Sequence, residues 1–141
     1  YASDTAHVII YITGYFSTTG YSYHAIVPCM FVGFTGNDGY NATGTKHWNV
    51  SNTCAGSPAL GVAIASNITV YPQWGNDLGY MTLWNSGVAQ PVASMLHALD
   101  IQPANNGMIV KVGTHNGQPH ISSWLTDEVQ LLTISATGYF N

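Results

Sequence analysis

The sequence predicts an all-β protein, a β-sandwich of about nine short strands with one short helix. Two observations favour this architecture: β-branched and aromatic residues cluster in short runs, and polar or glycine-rich turn signals separate those runs at close spacing. The chain has 141 residues, the size of one domain that can bury a stable core. We therefore expect one sandwich, of immunoglobulin-like type, over residues 17–141. A barrel is the second choice.

Residues 7–16, here called the leading segment, form an apolar run that reads as a strand. Side chains alternate between the two faces of a strand, and here both faces are largely apolar, which is typical of a strand covered on both sides. Either the strand lies centrally in its own sheet, or it leaves as a separate unit (residues 1–16) and fills a groove in a neighbouring copy. Its central apolar residues are Val8, Ile9, Ile10, Tyr11 and Ile12.

The rest of the chain contains further β-rich runs separated by turns. Pro28 interrupts the first of them, which indicates an edge position or a bulge because proline cannot donate a main-chain hydrogen bond. Residues 114–117 read as a hairpin turn between two later runs. The predicted strands are residues 21–34, 46–50, 59–65, 68–71, 79–84, 107–112, 120–125 and 128–140.

One short helix is predicted over residues 91–99. Pro91 suits the first turn of a helix, and apolar residues then recur at helical spacing until Pro103 ends the pattern. The apolar residues with this spacing are Val92, Met95, Leu96 and Leu99.

The chain is unusually poor in charge. Charged residues make up 6% of it, against about 25% in ordinary globular proteins. Lys46 and Lys111 are the only strong bases, so nucleic acid and anionic membrane surfaces are poor partners. No apolar run is long enough for a membrane span. Few carboxylates can form ion pairs, so histidines that are buried uncharged are the groups expected to oppose folding in acid.

Several features favour a secreted, glycosylated chain. The sequence starts at Tyr1 with no leader-like region, so we expect any signal peptide to have been removed. The chain has two cysteines, Cys29 and Cys54. In a reducing compartment they would be two buried thiols, whereas in a secreted chain their even number predicts one disulfide. Sequons for N-linked glycan begin at Asn41, Asn49 and Asn67. Glycan at these residues would supply the hydration that charge does not.

Catalytic signatures are missing from the sequence. There is no nucleophile elbow, phosphate-binding glycine loop or marked carboxylate pair, so we expect no enzyme and no cofactor. His115 and His120 flank a turn, and His97 stands three residues before Asp100, but we interpret both pairs as incidental and expect no metal.

Sugar binding is the alternative function. Trp74 stands beside Asn76 and Asp77, and an aromatic ring next to polar side chains suits a saccharide. Trp48 and Trp84 are further candidates. The competing interpretation is that the tryptophans fill the sandwich core.

A charge-poor, sequon-bearing β-sandwich rich in Thr, Asn, Gly and Tyr, with a doubly apolar strand near its N-terminus, resembles the archaeal extracellular filament subunits known as threads and bundling pili. The resemblance rests on composition over the whole chain and on the pattern of the leading segment. It implies glycosylated homopolymers on the cell surface, in which each subunit donates its N-terminal strand to the next. The implied donor side chains are Val8, Ile10 and Ile12, or Ile9 and Tyr11 on the other face. The long apolar N-terminal helix of type IV pilins is absent.

Overall fold

The computed structural model describes residues 10, 12, 14–35, 43–50, 54, 62–73, 75–98 and 101–141. Within these residues the chain forms nine strands in two antiparallel sheets, which confirms the predicted all-β sandwich. In chain order the strands are β1 (Tyr23–Thr35), β2 (Gly44–Asn49), β3 (Ala63–Pro72), β4 (Gly79–Asn85), β5 (Leu96–Ala98), β6 (Ala104–Lys111), β7 (Gly113–His115), β8 (Gln118–Leu125) and β9 (Val129–Phe140).

The first sheet has the strand order β1-β9-β3-β6, and the second has the order β2-β8-β4-β5 with β7 added beside β8. Strand β9 is the centre of the first sheet because it pairs with β1 on one side and with β3 on the other along most of its length. Strand β8 has the same position in the second sheet, between β2 and β4. The last strand in the chain therefore joins the first strand to the third.

The core lies between the two sheets and follows the period of two that a strand imposes. On β9 the buried face carries Leu132, Ile134 and Ala136, while the residues between them are half-buried. The second sheet supplies Ile121 and Leu125 from β8 to the same core. Full burial of a Leu or Ile side chain contributes about 1.5–3 kcal/mol.

Strand β1 lies at the edge of its sheet and is bulged at Pro28, so both parts of that prediction are confirmed. Ala25 pairs with Gly138 and Cys29 pairs with Ala136, which leaves several β1 residues opposite one residue of β9. The missing N–H of proline costs no ladder hydrogen bond at such a place.

The disulfide between Cys29 and Cys54 is confirmed, with Cα atoms 5.8 Å apart. It anchors the chain after β2 to the bulged part of β1. Cys54 is buried and packs in a small apolar cluster with Ile64 and Ala136, against which Ile26 of β1 and Val50 after β2 also pack.

Two strand predictions need correction. The sequence predicts two strands, over residues 59–65 and 68–71, but β3 runs without interruption from Ala63 to Pro72, because Ser66 and Asn67 between the two runs continue the alternation. Residues 59–61 of the first predicted strand lie outside the described residues. The hairpin turn is present at Asn116 and Gly117, both with positive φ, as a tight two-residue turn requires. It joins β7 to β8 rather than β6 to β8, since β6 pairs with β3 in the other sheet.

The predicted helix over residues 91–99 is wrong. Residues 91–95 are irregular and Leu96–Ala98 forms strand β5, while the last predicted helical residue, Leu99, lies outside the described residues. Leu96 and Ala98 are buried and His97 between them is exposed, so period two prevails over the helical spacing. A short run of apolar residues fits either period, and pairing with β4 decides between them.

Replacing both cysteines by serine (Cys29→Ser with Cys54→Ser) should lower the free energy of unfolding by about 3.5 kcal/mol, because the unfolded chain gains the entropy of an open loop. Urea unfolding at neutral pH measures the change. Reduction of the parent protein should reproduce it, and the double variant should not respond to reductant. Equal urea midpoints for the oxidised and reduced parent protein would contradict this account.

Candidate functional site

The described residues of the leading segment belong to no strand, so this part of the segment does not pair in a sheet of its own domain, which was the first of the two alternatives. Donation to a neighbouring copy stays a prediction. The other predicted donor residues, Val8, Ile9 and Tyr11, lie outside the described residues. The described large apolar side chains of residues 10–16 have 82% to 93% of their surface exposed. They are Ile10, Ile12, Tyr15 and Phe16. The sandwich core is filled without them, so this apolar surface has no cover within the described part of the chain.

Strand β6 presents the longest edge with an unbroken register in the described chain, with eight residues. It pairs only with β3, in one unbroken register from Ala63 with Lys111 to Val70 with Ala104. It has no proline and no bulge, and its one charge, Lys111, stands at its end. The opposite edge of the same sheet is interrupted at Pro28, and β5 in the other sheet has only three residues. Proline, bulges and charge are what usually protect an edge, so β6 is the edge best suited to accept another strand.

An apolar cleft of about 480 Å³ lies where the leading segment meets the first sheet. Tyr15 and Phe16 line it from the segment, and Ala63, Ile109 and Phe140 line it from β3, β6 and β9. Ile109 is also 40% exposed, so the open edge of β6 carries an uncovered apolar side chain beside the cleft.

Two of the predicted glycosylation residues lie among the described residues, and both are exposed. Asn49 ends β2, and Asn67 stands in the middle of β3. Asn67 is opposite Gly107 on one side and Ser135 on the other, and these small neighbours leave room around its side chain. Asn41 lies outside the described residues.

The outer face of the second sheet carries a cluster of three histidines. The rings of His47 and His115 stack with centroids 3.8 Å apart, and the ring of His120 meets that of His115 edge-on at 5.4 Å. The Nδ1 atom of His47 lies 2.8 Å from the hydroxyl of Ser122, which in turn lies 2.7 Å from the hydroxyl of Ser86. The imidazoles cover Ser122, which is fully buried although it faces away from the core.

Three strands bring these histidines together. Strand β2 places His47 opposite Ser122 of β8, and the β7–β8 hairpin folds His115 back beside His120. Gly113 lets β7 pass close to the chain after β4, because a Cβ there would overlap the carbonyl oxygen of Ser86. The hairpin turn between β7 and β8 is enough to place His115 near His120. The position of His47 beside them depends on the register between β2 and β8, which the sequence alone does not give.

The surroundings of His47 lower the pKa of its imidazole below the ordinary value of 6.5. Desolvation is the largest cause, and repulsion from protonated His115 and His120 adds to it. No group of three or more His, Cys, Asp or Glu residues in the described chain is arranged to hold a metal ion.

The same outer face continues into a row of aromatic rings. The ring of Tyr80 on β4 lies 5.0 Å from that of Trp124 on β8 and 6.0 Å from that of His97 on β5. All three alternate with buried residues of the core, so they point away from it. His97 hydrogen-bonds through Nε2 to the hydroxyl of Ser94, and Asp100 lies outside the described residues.

The residues predicted for sugar binding do not form this row. Asn76 and Asp77 are exposed in the connection between β3 and β4, and Trp74 lies outside the described residues. Trp48 packs against the core and donates from Nε1 to Ser123, and Trp84 is buried and donates from Nε1 to the carbonyl of Val88. These two tryptophans therefore have structural positions.

The chain has no significant match among protein-family models, curated proteins or solved structures. The described part of the chain offers no helix with the length and apolarity needed to cross a membrane.

Acid should destabilise the protein through His47. Because its pKa is lower in the folded than in the unfolded chain, its contribution to stability is complete above about pH 6.5 and is lost as the pH falls below that value. In His47→Gln, the decrease in unfolding free energy between about pH 7 and 5 should be smaller than in the parent protein.

The matched control is His24→Gln, which changes a histidine on β1 in the other sheet. It should leave the pH dependence of urea unfolding at the parental slope. Identical slopes for His47→Gln and the parent would show that the histidine cluster does not control acid stability.

Proposed function

We propose that this chain is a structural subunit of a secreted, glycosylated extracellular filament, in which each subunit donates its leading segment as a β-strand to the next. The observation that carries the proposal is the exposed apolar surface at Ile10, Ile12, Tyr15 and Phe16. Apolar side chains in such numbers on one short segment favour a partner that covers them.

The acceptor we propose is the open edge of β6 in the neighbouring subunit. An added strand gains main-chain hydrogen bonds along an edge that lacks proline and bulges, and it places alternate side chains against the apolar cleft at Ile109 and Phe140. The same addition removes an open edge that is an aggregation hazard in a lone subunit.

The energetics favour a durable joint. Burial of about five apolar side chains stabilises by roughly 1.5–3 kcal/mol each, before the cost of ordering the segment. The joint has few ion pairs to lose, since the whole chain holds two lysines and six carboxylates. We therefore expect filaments that resist dilution, salt and moderate acid.

The disulfide and the exposed sequons support the secreted, glycosylated part of the proposal. Disulfides persist in oxidising compartments, and Asn49 and Asn67 present exposed acceptor side chains. Asn67 lies on the outer face of the first sheet, where a glycan would be exposed to solvent.

Negative-stain electron microscopy at low protein concentration tests the assembly. The parent protein should form long uniform fibres. In the full chain, Ile10→Asp with Ile12→Asp should raise the concentration needed for fibres by about a hundredfold or more, because two buried apolar side chains are lost and charge takes their place.

Two further variants make the test specific. Val92→Asp, at an apolar residue that is also fully exposed but lies in the connection before β5, should assemble like the parent. Ile109→Lys, which puts a charge on the β6 edge, should shorten the fibres. Discrete particles from the parent protein, or equal loss of fibres in Val92→Asp, would refute strand donation by the leading segment.

A further inference from the structure

We propose that the outer face of the second sheet is a carbohydrate-binding site for a neutral saccharide, centred on Tyr80, Trp124 and His97. The inference goes beyond the filament proposal and does not depend on it, because it rests on the opposite sheet. It also differs from the site that the sequence predicts around Trp74.

The first observation is the row of rings. His97, Tyr80 and Trp124 come from the neighbouring strands β5, β4 and β8, and their centroids follow one another at 6.0 and 5.0 Å. Tyr80 keeps 37% of its surface exposed, so its ring is available to a ligand. Aromatic faces of this kind attract the apolar C–H faces of sugar rings.

The second observation is a cleft of about 420 Å³ beside the rings, within the range of small-molecule sites. Tyr80 and His97 line one side of it, and the connection from β4 to β5 forms the other side with Gln90, Pro91 and Ser94. The amide of Gln90, the hydroxyl of Ser94 and the imidazole of His97 give the cleft side-chain donors and acceptors of the kind that sugar hydroxyls bind.

The wall of the cleft is fixed before any ligand arrives. The hydroxyl of Thr82 donates to the carbonyl of Ala93 at 2.8 Å, and the indole of Trp84 donates to the carbonyl of Val88 at 3.1 Å. The wall ends at Met95, whose N–H donates to the carbonyl of Met81 at 2.8 Å. Thr82 and Trp84 are buried under the wall, although they face away from the core. A preformed site avoids the entropy cost of ordering a loop.

Charge selects the class of ligand. The strand residues on this face are aromatic, imidazole or small polar residues, and none is Lys, Arg, Asp or Glu. Nucleic acid also stacks on aromatic rings, but it needs cations for its phosphates, and the chain has no arginine and a net charge of −4. Acidic polysaccharides are disfavoured for the same reason. Neutral saccharides need stacking and hydrogen bonds alone, and this face supplies both.

Binding to insoluble cellulose, chitin and mannan, and to soluble starch by affinity electrophoresis, tests the proposal on the full chain. The parent protein should bind at least one of them, and heparin should not bind. Tyr80→Ala and Trp124→Ala should each weaken that binding by about tenfold, the effect of losing one stacking surface. Tyr80→Phe, which keeps the ring, should bind like the parent.

The matched control is Tyr71→Ala, which removes a tyrosine of similar exposure, 41%, from β3 in the other sheet. It should keep parental binding, and thermal unfolding of each variant separates loss of the site from loss of the fold. If the parent protein binds none of the four polysaccharides, the proposal is overturned. Binding of heparin alone would also overturn it. Parental binding by folded Tyr80→Ala and Trp124→Ala, or equal loss in Tyr71→Ala, would also overturn it.

Discussion

The structure depends on the double pairing of β9, the last strand, with β1 on one side and β3 on the other. These contacts join distant parts of the chain, so the first sheet can form only after the whole domain has been made. The inward face of β9 places Leu132 and Ile134 in the middle of the core, where both sheets contact them. With β9 at the centre, β1 and β6 become edges, and the two edges differ: the disulfide and the bulge at Pro28 protect β1, whereas β6 remains regular and open.

The scarcity of charge shapes the rest of the protein. With few ion pairs available, stability must come from the apolar core, main-chain ladders and one disulfide, and these are weakly sensitive to salt. Several polar interactions in the described chain join neutral groups, such as the contact between Ser86 and Ser122 and the bond from Trp48 to Ser123. Histidine is then the main group by which pH can act, and three of the six histidines are concentrated on one face.

Part of the fold could be predicted from the sequence, because it depends on the properties of single residues and of short runs. Pro28 implied an edge or a bulge because it lacks an N–H, and the β-rich run over residues 128–140 implied the strand that became β9. The helix over residues 91–99 was wrong because a short apolar run fits two periods, and only pairing with β4 selects one. The face built from Tyr80, Trp124 and His97 could not be predicted, since it depends on which strands become neighbours. The sequence indicated a sugar site at tryptophans, but two of the predicted ones, Trp48 and Trp84, have structural positions.

The two proposed surfaces are compatible because they use different sheets. A strand added to β6 extends the first sheet at its edge, whereas the rings lie on the outer face of the second sheet. Each subunit of a filament then presents one saccharide cleft, and the clefts repeat along the fibre. A shallow site with a few rings binds weakly on its own, but linked copies raise the effective concentration at a surface and can increase avidity by about 10²–10⁴. If subunits polymerise through the first sheet, the repeated weak sites on the second sheet would together bind a polysaccharide surface with high avidity.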